Sequence, residues 1–474
     1  MKQWPKLGEP FAIAVVMPFC RTGVHAPGLI TTSRPMIPIA PTSRARRFRE
    51  CPLCGLFQTI PVVQPAGASC CGRCGSVLRH HRTDPAGRGL ALALSAMVLF
   101  LLATTLPFLT LDLGGGSHIT VIDGPEALGR SGMWEVGLVV LGTTMVFPLA
   151  RLGGIVWVLI GLRRSRSQPS SHLATVFRWV ETLAPWSMIE VFMLGVFVAY
   201  TKLSDLAPVH VGGGVYALGG LMLAMAATDA VLDHEAIWER LEPAGVARAS
   251  APTEPAPDLV SDHAPDHAQG PGMAMIGCDA CGLVSRQPPT TGQMNCPRCG
   301  ERLRARKTNS TGRAWALLVA SAVLYVPANV LPVLSVARLG RGEPSTILEG
   351  VHELGVAGQW PLAALVFIAS IAVPVLKILG LALLLISTSR HATTQLGQRT
   401  LLYRIVEAAG RWSMIDVFMI SILTALVDVG PLATITPGPG VLCFCAVVIL
   451  TMLAANSFDP RLMWDAAASP RTAA

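Results

Sequence analysis

The chain has 474 residues, 51% of them hydrophobic and 14% charged, where an ordinary soluble domain carries about 25% charged residues. With a mean hydropathy of +0.52 this argues against a soluble globular protein, and it reads the net charge of +8 as basic cytoplasmic loops rather than a nucleic-acid surface. Twelve cysteines, eight of them in four C-x2-C pairs, exclude a secreted disulfide scaffold and point to metal sites in a reducing compartment.

Taken in chain order, residues 1–44 hold a short apolar run, FAIAVVMPFC. It falls short of the ~20 residues a crossing needs, so a disordered leader is expected. A first ribbon follows at 45–82, with Cys51, Cys54, Cys71 and Cys74 spaced C-x2-C-x16-C-x2-C. A first membrane module covers 83–240, with apolar spans near 89–109, 134–162, 183–203 and 213–232. The stretch 241–274, rich in Ala, Pro, Asp and His, reads as a linker. A second ribbon at 275–305 carries Cys278, Cys281, Cys296 and Cys299, spaced C-x2-C-x14-C-x2-C. A second module covers 306–466, with spans near 314–335, 358–387, 412–430 and 438–456, and a tail covers 467–474.

The order of landmarks is a duplication. CPLCG at 51–55 answers CDACG at 278–282, and FRWVETLAPWSMIEVFM answers YRIVEAAGRWSMIDVFM about 226 residues later. The predicted fold is an all-α integral membrane protein. Eight transmembrane helices form two four-helix modules, each preceded by a small cytoplasmic zinc ribbon, with short extracytoplasmic β-hairpins. Arginines cluster before the first span and between the second and third spans of each half, so both termini are placed in the cytoplasm. The second span of each half contains a proline, Pro148 or Pro374, which predicts a kink or tilt.

Four thiolates at these spacings make a closed tetrahedral site of the structural zinc type. Each pair is followed by a glycine that permits the tight turn. A single iron and a dithiol redox pair are the alternatives.

Polar residues recur inside the apolar spans at matched places. Thr144 and Arg151 answer Ser370 and Lys377; Ser187 and Glu190 answer Ser413 and Asp416. Thr451 answers Met225, so the second half holds the fuller set. A charge at the centre of a span costs about 2.5–3.5 kcal/mol, which a paired partner offsets. Each carboxylate is therefore expected to turn inward toward the matched cation, either as a structural pair or as an ion or proton path. Trp186 and Trp412 are expected at the cytoplasmic interface, Met188, Met193, Met414 and Met419 as packing, and Arg178–Glu181 as a surface pair.

Together with the two ribbons, PANVLPVL at 327–334, RWSMIDVFM at 411–419 and SFDPRLMWD at 457–465 resemble the paraquat-inducible protein A family (PqiA/LetA type). The first half departs from these motifs, with Thr104 in place of Asn329 and LDHEAIW in place of FDPRLMW. The resemblance implies a multi-pass protein of the bacterial inner membrane, not an enzyme. It implies phospholipid as cargo and a periplasmic MCE-domain protein as partner, in support of the envelope. No P-loop is present, so transport needs another energy source, and the buried charges make proton movement the candidate. A metal-dependent redox or stress-response protein and a passive anchor for the MCE partner are the competing readings.

Overall fold

The structure is a computed structural model that describes residues 47–60, 67–80, 82, 85–111, 117–164, 171–204, 209–243, 274–287, 294–338, 341–426 and 433–468. The expected leader and most of the linker lie outside these residues.

The first ribbon is a pair of antiparallel hairpins. β1 (Arg47–Glu50) pairs with β2 (Phe57–Ile60), and β3 (Ala68–Cys70) with β4 (Val77–His80). α1 (Pro85–Thr105) then rises for about 32 Å to β5 (Leu109–Leu111), β6 (Ser117–Ile119) and the short α2 (Asp123–Arg130). The chain returns through α3 (Trp134–Leu141), a π-turn at Gly142–Val146 and α4 (Phe147–Arg164). α5 (Ser171–Leu183) and α6 (Ile189–Ser204) climb again to β7 (Val209–Val211). α7 (Gly213–Val231) and α8 (His234–Arg240) complete the half.

The second half repeats this order. β8 (Ala274–Gly277) and β9 (Val284–Gln287) pair, and α9 (Ser310–Val330) leads to β10 (Leu334–Arg338), β11 (Arg341–Ser345) and α10 (Ile347–Val356). α11 (Trp360–Phe367), a π-turn at Ile368–Ala372 and α12 (Val373–Ser389) form the return. α13 (Leu396–Trp412), α14 (Ile415–Leu426), β12 (Ala433–Pro437), α15 (Gly440–Ser457) and α16 (Arg461–Ala468) follow.

Two expectations about the bundle's turns change in detail. The kink predicted at each proline is a π-turn just upstream of it: Phe147 N–H donates to the Gly142 carbonyl and Val373 N–H to that of Ile368. Pro148 and Pro374 lack an N–H, and the wider turn absorbs the missing bond. Each far-end hairpin is a three-stranded sheet, in the order β6-β5-β7 or β11-β10-β12, because the link after α6 or α14 adds a strand. Only glycine permits this closure. A Cβ on Gly212 or Gly438 would stand 2.2 Å from the carbonyl oxygen of Pro107 or Pro332.

The third span of the first half runs Ser171–Thr201, longer than the expected 183–203. Trp186 therefore lies midway along this span rather than at its end. Arg178 and Glu181 made the leading turns of this span look like a loop. Seven helices are long and apolar enough to cross a membrane among the described residues. The predicted span 412–430 is not one of them. Its helical core, α14, has 12 residues, and all residues from Ser413 to Thr424 are buried. It is this burial on every side, and not its composition, that sets α14 inside the protein rather than against lipid. α14 packs on α6, where the Phe192 and Phe418 rings meet edge to face at 5.6 Å. It packs also on α2 of the other half, where a Cβ on Gly124 would meet Ser421 Oγ at 2.5 Å.

The ribbons are exchanged between the halves. Cys51, Cys54, Cys71 and Leu78 share a buried cluster with Leu381, Leu385, Phe458 and Trp464 of the second half. Cys278, Cys281, Cys296, Cys299 and Leu303 cluster with Leu159, Phe177 and Trp238 of the first. Each ribbon thus caps the bundle to which it is not directly joined. The Arg73 guanidinium lies 4.5 Å over the Trp464 ring, and Arg298 pairs with Glu242 at 2.6 Å.

Candidate functional site

Each ribbon gathers its four sulfurs. Cys51–Cys74 and Cys54–Cys71 are 3.6 and 3.5 Å apart, and Cys278–Cys299 and Cys281–Cys296 are both 3.5 Å apart. All four Sγ atoms of each set lie within 4.8 Å of one another. A tetrahedron with metal–sulfur bonds of about 2.3 Å has edges of about 3.8 Å, so both sets fit a tetrahedral thiophilic ion. Gly55, Gly75, Gly282 and Gly300 have φ between 69° and 72° and close the turns expected of them. Cys70 stands outside the cluster, as the C-x2-C spacing requires. Ser76 Oγ lies 3.2 and 3.1 Å from Cys51 and Cys74 and would donate to them as thiolates.

Between the two ribbons lies a charged clamp that sequence reasoning missed. Arg461 grips Asp459 with two nitrogens, at 3.0 and 3.1 Å. Its remaining donors reach Glu50 of the first ribbon at 3.2 Å and Asp279 of the second at 2.9 Å. Arg306 adds Asp465 at 2.6 Å and Glu50 at 3.1 Å, and Gly277 N–H donates to Glu50 at 3.0 Å. Burial pushes the Glu50 carboxyl above the usual range, against the pull of Arg461 and Arg306. At Asp459 burial acts the same way, but the Arg461 guanidinium overcomes it and holds the carboxyl below that range. The motif FDPRLMW signalled Arg461, yet its partners are far away in sequence. In the first half, Glu235 stands in its place and pairs with Arg49. The expected Arg178–Glu181 surface pair does not form: Arg178 reaches Glu301 of the second ribbon at 2.9 Å, and Glu181 accepts from Trp238 at 3.2 Å.

Within the spans, Lys377 is 1% exposed and donates to Thr451 Oγ1 at 2.8 Å. Ser370 on the π-turn, Ser413 at the end of α13 and Asp416 in the first turn of α14 are also buried, and the π-turn packs against α14. Ser370 Oγ donates to Val366 O and Thr144 Oγ1 to Val140 O, both at 2.7 Å. Ser187 and Ser413 have buried hydroxyls without a hydrogen bond among the described residues. The two halves are not equivalent. Arg151 pairs with Asp229 on α7 at 2.6 Å. The expected partner, Glu190, is exposed and faces a cavity between the halves. Asp229 escaped notice because its counterpart is the apolar Ala455, although an aspartate in AMAATDAV costs as much as the glutamate that drew attention. Met188, Met414 and Met419 are buried in the core, which supports packing.

That cavity measures about 490 Å3. It runs from Lys377, Ser187 and Arg411 at mid-span to Asp229, His234 and Asn456 at the ribbon end.

The family profile described as Paraquat-inducible protein A matches residues 87–242 and 311–468. The chain is 33% identical over 417 residues to the intermembrane transport protein PqiA of Escherichia coli K12, covering 88% of this chain and 95% of the relative. It is 30% identical over 420 residues to lipophilic envelope-spanning tunnel protein A of the same strain, covering 88% and 91%. A probable intermembrane transport protein of Haemophilus influenzae is 25% identical over 433 residues, covering 89% and 97%. No solved structure matches the chain.

Proposed function

The chain belongs to the paraquat-inducible protein A family, and from that premise we propose that it loads or moves phospholipid between the inner membrane and a periplasmic MCE-domain protein. It does so without enzymatic turnover, in support of the envelope. The observation that carries this reading is a lysine buried to 1% at mid-span, hydrogen-bonded to Thr451, at the wall of a cavity open toward the ribbons. A lysine there can exchange a proton, whereas Arg151 in the matching place cannot. Proton movement through Lys377 and Asp416, with Ser370, Ser413 and Thr451 around them, supplies the energy. The matched Thr144, Arg151, Ser187 and Glu190 form the supporting half.

The chain crosses the membrane eight times, with α13 and α14 together making the crossing whose apolar part is shortest. Both termini and both ribbons are cytoplasmic, the sheets periplasmic. The ribbons hold zinc. Their closed sulfur sets, with three of four cysteines buried in the first and all four in the second, favour a structural ion over dithiol exchange. Lys377→Ala and Asp416→Ala should abolish lipid transfer in reconstituted vesicles while the protein remains folded. Wild-type transfer by both variants would reject the reading, and iron with visible absorbance in purified protein would reject zinc.

A further inference from the structure

The cavity between the halves is amphipathic in an ordered way, and one helix carries both characters. On α13, Arg404, Glu407, Ala408 and Arg411 line the cavity, while Ile405, Ala408, Ala409 and Trp412 line a second recess of about 310 Å3. That recess is completed by Leu365, Ile368, Ala369, Val373 and Ile415, with no charged residue among its walls. Ala408 belongs to both walls, so a polar chamber and an apolar groove adjoin across a single small side chain.

The charges of the chamber leave a surplus. Its cations are Arg151, Lys377, Arg404 and Arg411, and its carboxylates are Glu190, Asp229 and Glu407, with His234 at the ribbon end. Arg151 is spent on Asp229. Glu407 lies one turn from Arg404 and from Arg411 and interacts electrostatically with both. Arg411 makes no hydrogen bond or ion pair through its side chain among the described residues, although it points into a chamber half enclosed by apolar helices. Counted over its lysine, arginines and carboxylates alone, the lining has four cations to three carboxylates, one positive charge in excess and the complement of one phosphodiester.

We propose that this chamber and groove together bind one phospholipid from the ribbon-side leaflet. Its phosphate sits against Arg411 and Arg404, and an acyl chain lies in the groove beside Trp412. Guanidinium groups match phosphate oxygens two at a time, and the chamber falls in the usual size range of ligand sites. Gly410 sets the chamber wall beside the buried lysine: a Cβ there would lie in ordinary contact, 4.0 Å from Lys377 Nζ and 3.5 Å from Met452. The inference deepens the lipid-transport reading and rests on it for the choice of occupant. It places the bound headgroup beside the lysine on which transport is proposed to depend.

The test is photo-crosslinking in the full chain, reconstituted in vesicles of phosphatidylethanolamine and phosphatidylglycerol carrying a 32P label. Benzoylphenylalanine replaces Trp412, and in a parallel sample Leu383, which is 61% exposed on the outer face of α12. Position 412 should take up label, and Arg404→Gln with Arg411→Gln should reduce it by about tenfold or more, the loss expected for charge-assisted contacts. Label at 383 should not change. Arg411→Lys, which keeps charge but loses the fork, should give an intermediate loss and serves if the double variant does not fold. Equal labelling with and without the arginines would overturn the site as ordinary boundary lipid. Displacement of the label by millimolar inorganic phosphate would assign the chamber to a free anion instead. Because the readout is binding, lipid transfer by Lys377→Ala tests the transport reading separately.

Discussion

Replacing Arg461 with methionine should loosen both ribbons at once. The substitution keeps much of the side-chain volume but removes four contacts: two to Asp459, one to Glu50 and one to Asp279. The Asp279 side chain is 45% exposed, so its loss counts for little. Asp459 and Glu50 are 1% and 8% exposed and cannot fall back on water. Asp459 keeps the N–H of Lys307, and Glu50 keeps Arg306 and the N–H of Gly277, so neither is stripped completely. At ~1.5–3 kcal/mol for each charge-assisted partner lost, the two together come to ~3–6 kcal/mol, which spans the ~3–5 kcal/mol range for breaking a buried ion pair. If metal leaves through ribbon undocking, 3 kcal/mol speeds release about a hundredfold, since 1.4 kcal/mol is a factor of ten. The assay is transfer of metal from purified, reconstituted protein to a chromophoric chelator. Adding Glu50→Gln to the variant should recover part of the loss, because it removes one stranded charge. An unchanged release rate for Arg461→Met would refute the claim that the clamp holds the ribbons down.

Acid should act on the same clamp. Asp459 has a lowered value in the folded state, so its contribution is complete above the ordinary carboxylate range of about 4 and is lost as pH falls through the lowered value. The gap in thermal midpoint between wild type and Asp459→Asn should therefore be constant at neutral pH and shrink only in strong acid. Gly438→Ala should severely reduce folded protein, since the added carbon meets a backbone oxygen at 2.2 Å, whereas Gly213→Ala should be tolerated with its nearest neighbour a leucine methyl at 3.7 Å; size-exclusion yield decides. Cys54→Ser should lower bound metal from two ions to one per chain by elemental analysis. Hydrogen exchange should rise more around α16, whose Trp464 packs on the first ribbon, than around α8, which meets that ribbon through the Arg49–Glu235 and Arg79–Glu239 ion pairs; the reverse pattern would contradict the exchange.

Periodic apolar spans, the duplication and the cysteine spacing were all legible in the sequence, since each is a local pattern or a repeat. The limits were set by contacts between distant segments. Arg151 was expected to seek Glu190 by symmetry of the halves, but the aspartate that serves it lies on α7, where the symmetry fails. The burial of α14 could not be read from its composition, because a helix facing protein on all sides and one facing lipid are equally apolar. Lys377 and Thr451 were singled out as matched positions, while their 2.8 Å hydrogen bond depends on α12 and α15 meeting in space. The exchange of ribbons leaves no mark in either copy alone, since both carry the same buried cysteines and leucines.

The exchange also imposes an order on synthesis. The first ribbon leaves the ribosome early, yet Trp464, on which it rests, follows roughly 400 residues later, or ~20–80 s at ~5–20 residues per second. During that interval it has its own metal site but no seat. The second ribbon finds its bundle already made. A chain interrupted before α16 would thus leave its first ribbon uncapped, so that a complete carboxyl-terminal half certifies the amino-terminal one.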